Sequence, residues 1–246
     1  DVRNWIGRAL SASDYELSIV GDFDIQQVVE LASRYFGLLP PAENVIPQRT
    51  GGPVFPSGDQ LRVTVDTKIP TGLVYVSYAT DDIWDIHKTR RLNVLADVFS
   101  ERMRIQIREK LGEAYSPFAY NMASRMYKGY GVFNAVVEVV PGRAQLVVDE
   151  IQKIAQDLSM EGISPDEIAR SLGPTLNSIK DMRQRNGYWL KTVLAGSKRN
   201  PEKIEWSRTI VSDYAAITSE DLETLSKQYL VNDRAAFIVA LPTVTD

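Results

Sequence analysis

Apolar residues recur with two different periods along the 246-residue chain, and each period predicts a different kind of element. A stripe of apolar positions three or four residues apart predicts a long helix over residues 85–111. The members of this stripe are Leu92, Leu95, Phe99, Met103, Ile107 and Leu111. Runs rich in β-branched and aromatic residues predict strands at 61–66, 72–80, 114–124, 130–140 and 235–241. The pattern therefore predicts an α+β fold.

Capping patterns mark where further helices begin and end. Asp24, Ser164 and Thr218 each precede a run of helical periodicity and are followed three residues later by a side chain that can complete a cap. Gly37 is placed to end the first of these three helices. The remaining predictions are helices at 2–10, 142–160, 188–196 and 205–216 and a strand at 14–22.

The segment between residues 38 and 60 is rich in proline and glycine and separates two parts of the chain. A helix followed by an apolar strand precedes this segment, and the same order returns at the end of the chain, where Leu230 corresponds to Leu10. We therefore predict that residues 1–45 are the closing helix–strand–helix of a preceding homologous domain, that 46–60 are a linker, and that 61–246 are a complete domain. Because the chain opens directly in a helix, we expect a processed product or an excised fragment.

Composition excludes several kinds of chemistry. The chain has no Cys, one His, and a net charge of −4 from 28 basic and 32 acidic residues. It therefore has no disulfides or thiolate metal site, and a single His cannot supply a site with two or three His ligands. No apolar run reaches the roughly 18 residues of a membrane span, and no P-loop or Gly-x-Ser-x-Gly motif occurs. We expect no metal site in this chain, no membrane span and no bound nucleic acid.

The most informative stretch joins the end of the long predicted helix to the next strand. Arg108 lies on the last turn of that helix, Tyr115 begins the strand, and Gly112 lets the chain reverse between them. The fixed donors of a guanidinium and a phenolic hydroxyl suit a peptide carbonyl, or the oxyanion that develops from it. Ordinary structural roles also fit, because a cation near a helix C-terminus and a Tyr in a strand are both favoured.

Three features resemble the C-terminal half of the pitrilysin/insulinase family of zinc metallopeptidases, whose zinc motif is the inverted H-x-x-E-H. The first is the Leu-Ser-Ile-Val-Gly-Asp-Phe-Asp stretch at residues 17–24 together with Tyr-Phe-Gly-Leu-Leu-Pro at 35–40. The second and most specific is residues 104–116, and the third is the order of elements across 61–241. Residues 185–190 also resemble the bacterial zinc-protease branch.

The resemblance implies a metallopeptidase-half fold, in which a mixed, largely antiparallel sheet carries helices on one face. It implies a non-catalytic half of a zinc-dependent endopeptidase, with zinc held by an N-terminal half in cis or on a partner chain. Arg108 and Tyr115 match the family's Arg and Tyr, seven residues apart, that bind the substrate backbone near the scissile bond. The H-x-x-E-H motif itself is absent here. A peptide substrate and an exported location in a bacterium, periplasmic or otherwise, are further expectations from the resemblance.

Two other interpretations remain open at this stage. Some members of this family have lost their catalytic residues, so the chain could be an inactive structural or partner subunit of the same fold. Basic residues on the long helix could instead form a binding patch, but Asp97, Glu101 and Glu109 interleave with them and favour a solvated face. The single His87 has no second His at metal-ligand spacing, and we interpret it as a solvated residue near a helix start.

Overall fold

A computed structural model describes residues 1–11, 15–39, 51–110 and 114–243 of the chain. The described residues divide into two compact units, one of residues 1–51 and 178–209 and the other of 52–177 and 210–246. The helices are α1 (Val2–Ser11), α2 (Ile25–Phe36), α3 (Ile86–Met103), α4 (Ala144–Met160), α5 (Pro165–Arg183), α6 (Glu202–Ala215) and α7 (Ser219–Tyr229). The strands are β1 (Gln60–Val65), β2 (Gly72–Thr80), β3 (Ala114–Ala123), β4 (Gly131–Val139) and β5 (Ala236–Pro242).

All five strands belong to the second unit and form one sheet in the order β1-β5-β2-β4-β3. β1 runs parallel to β5, and every other neighbouring pair is antiparallel. Helices α3, α4 and α7 contact the strands. The predicted α+β fold, a mixed and largely antiparallel sheet with helices on one face, is therefore confirmed.

The two faces of the sheet differ in burial because side chains alternate along each strand. On the helix-covered face, Val74 and Val76 of β2 lie opposite Val137 and Ala135 of β4, and all four are fully buried. The other face is mixed: Val132, Asn134 and Val136 of the central strand β4 are buried there. Many of the side chains around them on that face are exposed, including Leu61, Leu73, Phe118, Tyr120, Met122 and Ile238. The core of the unit therefore lies between the sheet and the helices.

The first unit contains only helices and irregular segments among its described residues. The Asp24 side chain accepts a hydrogen bond from the Gln27 backbone at 2.8 Å, as the capping pattern predicts. The strand predicted at 14–22 is wrong for residues 15–20, which are irregular, while residue 14 lies outside the described residues. A strand needs a hydrogen-bonded neighbour, and every described strand belongs to the other unit.

The predicted linker has the expected irregular backbone over residues 51–59, and β1 begins at Gln60. Residues 46–50 lie outside the described residues, and the predicted domain boundaries stay a prediction. In the parts of the chain that the structure describes, no helix has the length and apolar character that crossing a membrane requires.

Candidate functional site

The long predicted helix consists of two consecutive parts, α3 and a π-helical segment, Arg104–Lys110. The Asp85 side chain caps its start by accepting from the Lys88 backbone at 3.0 Å. Every member of the apolar stripe from Leu92 to Ile107 is buried, and Met103 and Ile107 are fully covered on either side of the change to π geometry. Leu111, the last member, lies outside the described residues. π-helical segments are often found at functional sites.

The two arginines of the π-helical segment have different surroundings. The Arg104 guanidinium donates to the two Glu101 carboxylate oxygens at 2.7 and 2.8 Å and also contacts Glu109. These hydrogen bonds outweigh partial burial and hold the pKa of Glu101 below its usual value. Arg108 is exposed, and no hydrogen bond or ion pair links it to another described residue. Its donors are therefore free of the acidic neighbours that engage Arg104.

Tyr115 is the second residue of β3, an edge strand, and pairs in register with Glu138 of β4. Residues 111–113 and the Tyr115 side chain lie outside what the structure describes. The structure thus places Arg108 at the end of the helix and the Tyr115 backbone at the start of the following strand. The predicted pairing of their side chains on one substrate stays a prediction.

The backbone directly after Tyr115 departs from regular strand geometry. Ser116 has φ of 49°, in the left-handed region, and it is the one non-glycine residue with positive φ among the described residues. The register shifts between Tyr115 and Phe118, so β3 contains a bulge there. Such bulges occur often at sheet edges and beside active sites, where they redirect a side chain. The sequence signal was Pro117, because a proline inside a predicted strand indicates an edge or a bulge.

Ser100 connects α3 to the strand that carries Tyr115. Its hydroxyl accepts a hydrogen bond from the Ala119 backbone N–H at 2.7 Å and donates to the Ala96 carbonyl at 2.8 Å. Ala119 is buried, so its N–H would otherwise lack a partner away from water. The contact fixes β3 immediately beyond the bulge.

A cleft of about 550 Å³ lies beside these elements, between the end of α3, the bulge and the first half of α5. Its lining includes Ser100, Glu101, Arg104, Pro117, Arg170 and Thr175. The cleft is open and carries charges of both signs.

His87 is the second residue of α3 and is exposed, as predicted, and it also makes a contact that local sequence pattern does not predict. Its side chain is 61% exposed, but its Nδ1 lies 2.7 Å from Oδ1 of the buried Asp213. Arg90 donates to the other oxygen of Asp213 at 2.9 Å, and Arg91 lies 3.3 Å from the first. Burial alone would raise the pKa of Asp213, but hydrogen bonds from His87 and Arg90 outweigh it and lower that pKa. His87 thus belongs to a charge cluster that joins α3 to α6.

Most arginines of the supposed basic patch are likewise engaged within the fold. Arg102 donates to Glu167 at 2.7 Å and to the Gly162 carbonyl at 2.7 Å, and Arg91 lies 3.3 Å from Asp221. These contacts favour an intramolecular role for the charges. Among the described residues, no three His, Cys, Asp or Glu side chains converge as metal ligands would. The described part of this chain therefore does not fit a zinc site.

The site thus consists of an exposed arginine at the end of the π-helical segment and a tyrosine that is the second residue of the following strand, on a mixed sheet with helices. Residues 1–172 match the family described as the peptidase M16 inactive domain, which is more than half of the chain. The chain belongs to this family. The family resemblance found in the sequence is thereby confirmed.

The curated relatives include zinc proteases. The chain is 26% identical over 210 residues to an uncharacterized zinc protease of Rickettsia bellii, covering 80% of this chain and 48% of the relative. It is 26% identical over 174 residues to the probable zinc protease PqqL of Haemophilus influenzae, covering 70% of this chain and 18% of the relative. The chain thus spans half or less of the length of these relatives.

Solved structures share the fold at low sequence identity. A protease from Helicobacter pylori matches with a TM-score of 0.76 and 16% identity, over 91% of this chain and 54% of that one. The peptidase M16 inactive domain from Pseudomonas fluorescens matches with a TM-score of 0.74 and 14% identity, over 92% and 53%. The periplasmic protease PqqL from Escherichia coli matches with a TM-score of 0.71 and 20% identity, over 91% and 25%.

Proposed function

We propose that this chain is the non-catalytic half of a zinc-dependent endopeptidase and contributes Arg108 and Tyr115 to a site whose zinc is held by an N-terminal half. The observation that carries the proposal is the exposed Arg108, which no described acidic group engages, at the end of the helix that precedes the strand carrying Tyr115. Membership of the inactive-domain family and the greater length of the zinc-protease relatives support it.

The role of the two residues follows from their donor chemistry. Attack on a peptide carbonyl moves negative charge onto its oxygen, and donors already aimed at that oxygen stabilise the transition state. The Arg108 guanidinium offers several N–H donors in a fixed plane, and the Tyr115 hydroxyl offers one. Before the reaction the same donors bind the substrate backbone, so they contribute to both affinity and turnover. The substrate class is therefore polypeptide.

The partner in this proposal is the N-terminal half, either in cis or on a second chain. The described residues of this chain hold no group of metal ligands, so the zinc belongs to that partner. An exported location in a bacterium is part of the proposal, and the likeness to a periplasmic protease of Escherichia coli supports it.

The test compares this chain alone with this chain joined to a half that carries H-x-x-E-H, taken from the parent or a neighbouring reading frame. Alone, the chain should bind less than stoichiometric zinc and cleave no peptide from a quenched-fluorescence library. The joined halves should bind zinc and cleave, and the zinc half alone serves as the control. Stoichiometric zinc on the 246-residue chain would contradict the proposal. Zinc-loaded joined halves that cleave nothing would instead identify a structural subunit.

A further inference from the structure

The residue between Tyr115 and Pro117 has the rarest backbone geometry described in this chain. Positive φ is uncommon outside glycine, and Ser116 adopts φ of 49°. Its side chain is exposed. Residues held in such conformations persist only where the surrounding structure over-determines them. Regular strand formation therefore does not explain the left-handed backbone of Ser116.

The hydrogen-bonding register between β3 and β4 explains this backbone conformation. Tyr115 pairs with Glu138 and Phe118 pairs with Val136, so three steps along β3 correspond to two steps along β4. Ser116 lies within this one-residue excess. Because side chains alternate from face to face, a single extra residue changes which face the preceding positions occupy.

Because of the extra residue, the Tyr115 position lies on the same face of the sheet as the exposed side chains further along β3. Phe118 pairs with Val136 and Tyr120 pairs with Asn134, and Tyr115 pairs with Glu138. These three positions of β4 are two residues apart, so they lie on the same face of the sheet. If β3 ran without a bulge from Phe118 backwards, Tyr115 would pair with Val139 instead. Val139 belongs to the row that is buried under the helices.

The backbone of β3 after the bulge is held in place. A change of backbone conformation at Ser116 therefore has to shift the residues before the bulge, including Tyr115. The Ser100 hydroxyl holds the Ala119 backbone at 2.7 Å. Pro117 has a restricted φ and no N–H to contribute to a regular ladder. The segment before the bulge, beginning at Ala114, therefore has to take up any shift in register.

We propose that Ser116 is a positioning residue that sets the sheet face on which Tyr115 lies, through its left-handed backbone. The inference rests on the proposed function, in which Tyr115 contacts the substrate. The side-chain requirement at this position is for a residue that tolerates positive φ. Glycine meets it without strain, asparagine meets it at small cost, and a β-branched residue does not.

The first test is structural and does not depend on activity. In Ser116→Val, cross-strand Hα–Hα contacts measured by NMR on the 246-residue chain should move the partner of Tyr115 from Glu138 to Val139. Ser116→Gly should keep Glu138 as the partner. Met122→Val is the matched control, because it adds the same β-branched residue at an exposed position of the same strand. An unchanged register in Ser116→Val would overturn the inference.

The second test uses the enzyme with both halves joined. Ser116→Val should lower kcat to the level of Tyr115→Phe, a loss of roughly 10²–10³ by analogy with a lost oxyanion donor. Ser116→Gly and Ser116→Asn should stay within about twofold of the parent, because both residues tolerate positive φ. In a Tyr115→Phe background, Ser116→Val should cause no further loss of kcat, since it acts through Tyr115.

Failure of the inference and failure of the proposed function give different results. A full additional loss from Ser116→Val in the Tyr115→Phe background would overturn the positioning role. Parent-like kcat in Tyr115→Phe, combined with the shifted register in Ser116→Val, would overturn the proposed function and leave the positioning of Tyr115 supported. If Ser116→Val does not fold, the more conservative β-branched substitution Ser116→Thr is used to measure both the strand register and kcat.

Discussion

The Ser100 hydroxyl lies 2.7 Å from the Ala119 backbone nitrogen and ties the last turns of α3 to the edge strand of the sheet. α3 continues directly into the π-helical segment that carries Arg108, and the edge strand carries Tyr115. The contact therefore joins the elements that support the two proposed substrate-binding residues. Edge strands expose unpaired backbone groups, and a side chain that occupies one of them both satisfies the group and blocks strand addition. The same contact thus satisfies a buried backbone group and holds α3 against β3.

Replacing this hydroxyl should destabilise the chain measurably. Ser100→Ala leaves the buried Ala119 N–H without its acceptor, and an unsatisfied buried donor costs about 1–3 kcal/mol. Urea unfolding should show a lower midpoint at an unchanged slope. Ser159→Ala is the matched control, since that partly exposed helical hydroxyl donates to the nearby Gln156 carbonyl within its own helix. Equal midpoints for the two variants would show that the contact does not stabilise the fold.

Replacing the Asp213 carboxylate should lower the free energy of unfolding more than replacing most other charged side chains of the second unit. Asp213→Asn removes the negative charge that faces the buried Arg90 guanidinium, and breaking a buried pair from one side costs about 3–5 kcal/mol. Glu205→Gln tests an exposed pair with Arg208 and should change stability by no more than about 1 kcal/mol. The free energies of unfolding from urea titrations compare the two. A small effect at Asp213 would mean that the cluster is solvated in solution.

Glu167 should contribute to the loss of stability in acid. Burial raises the pKa of this carboxylate, but hydrogen bonds from Arg102 and from the Ser164 backbone and hydroxyl outweigh it, so the pKa falls from 4.5 to about 2. A group whose pKa is lower in the folded state stabilises the fold above its unfolded pKa. This stability is lost as the pH falls from about 4.5 toward about 2.

The corresponding measurement follows the free energy of unfolding through that pH range. Glu167→Gln should make the dependence on pH shallower there, because the variant has no proton to take up. It should also lower stability near neutral pH, where the parent has a charged partner for Arg102. Identical slopes for the parent and the variant would contradict the assigned pKa.

Much of the second unit follows from sequence pattern alone. The strand predicted at 72–80 has those bounds in the structure, and both predicted strands of the hairpin at 114–140 agree within one residue. The capping box at Ser164 is present, with Glu167 accepting from the Ser164 backbone at 2.9 Å. Alternation and capping are local signals that depend on a few neighbouring residues, so they survive in the folded protein.

The spacing of the apolar stripe contains a sequence signal for the π-helical segment. A four-residue step turns an α-helix by about 400°, which overshoots a full turn by about 40°. Successive steps of four from Leu95 through Phe99, Met103 and Ile107 would therefore move the stripe around an ideal α-helix. The wider π turn that begins at Arg104 accommodates this spacing, and all four side chains stay buried.

Other features depend on contacts between distant residues and could not be derived from local pattern. The strand expected at 14–22 failed over residues 15–20 because apolar alternation predicts a strand only where a neighbouring strand is available. The link from His87 to Asp213 joins residues far apart in the chain, and no spacing rule connects them. The left-handed φ of Ser116 is a further case, for which Pro117 gave only an indication of irregularity.

The most direct measurement of the central claim is kcat for the joined two-half enzyme with single substitutions at the proposed substrate-binding residues. Arg108→Ala and Tyr115→Phe should each lower kcat by roughly 10²–10³, by analogy with a lost oxyanion donor, with unchanged melting temperatures. Arg125→Ala and Tyr35→Phe are the matched controls at exposed positions and should retain the parent kcat. Near-parent turnover in both Arg108→Ala and Tyr115→Phe would contradict the account.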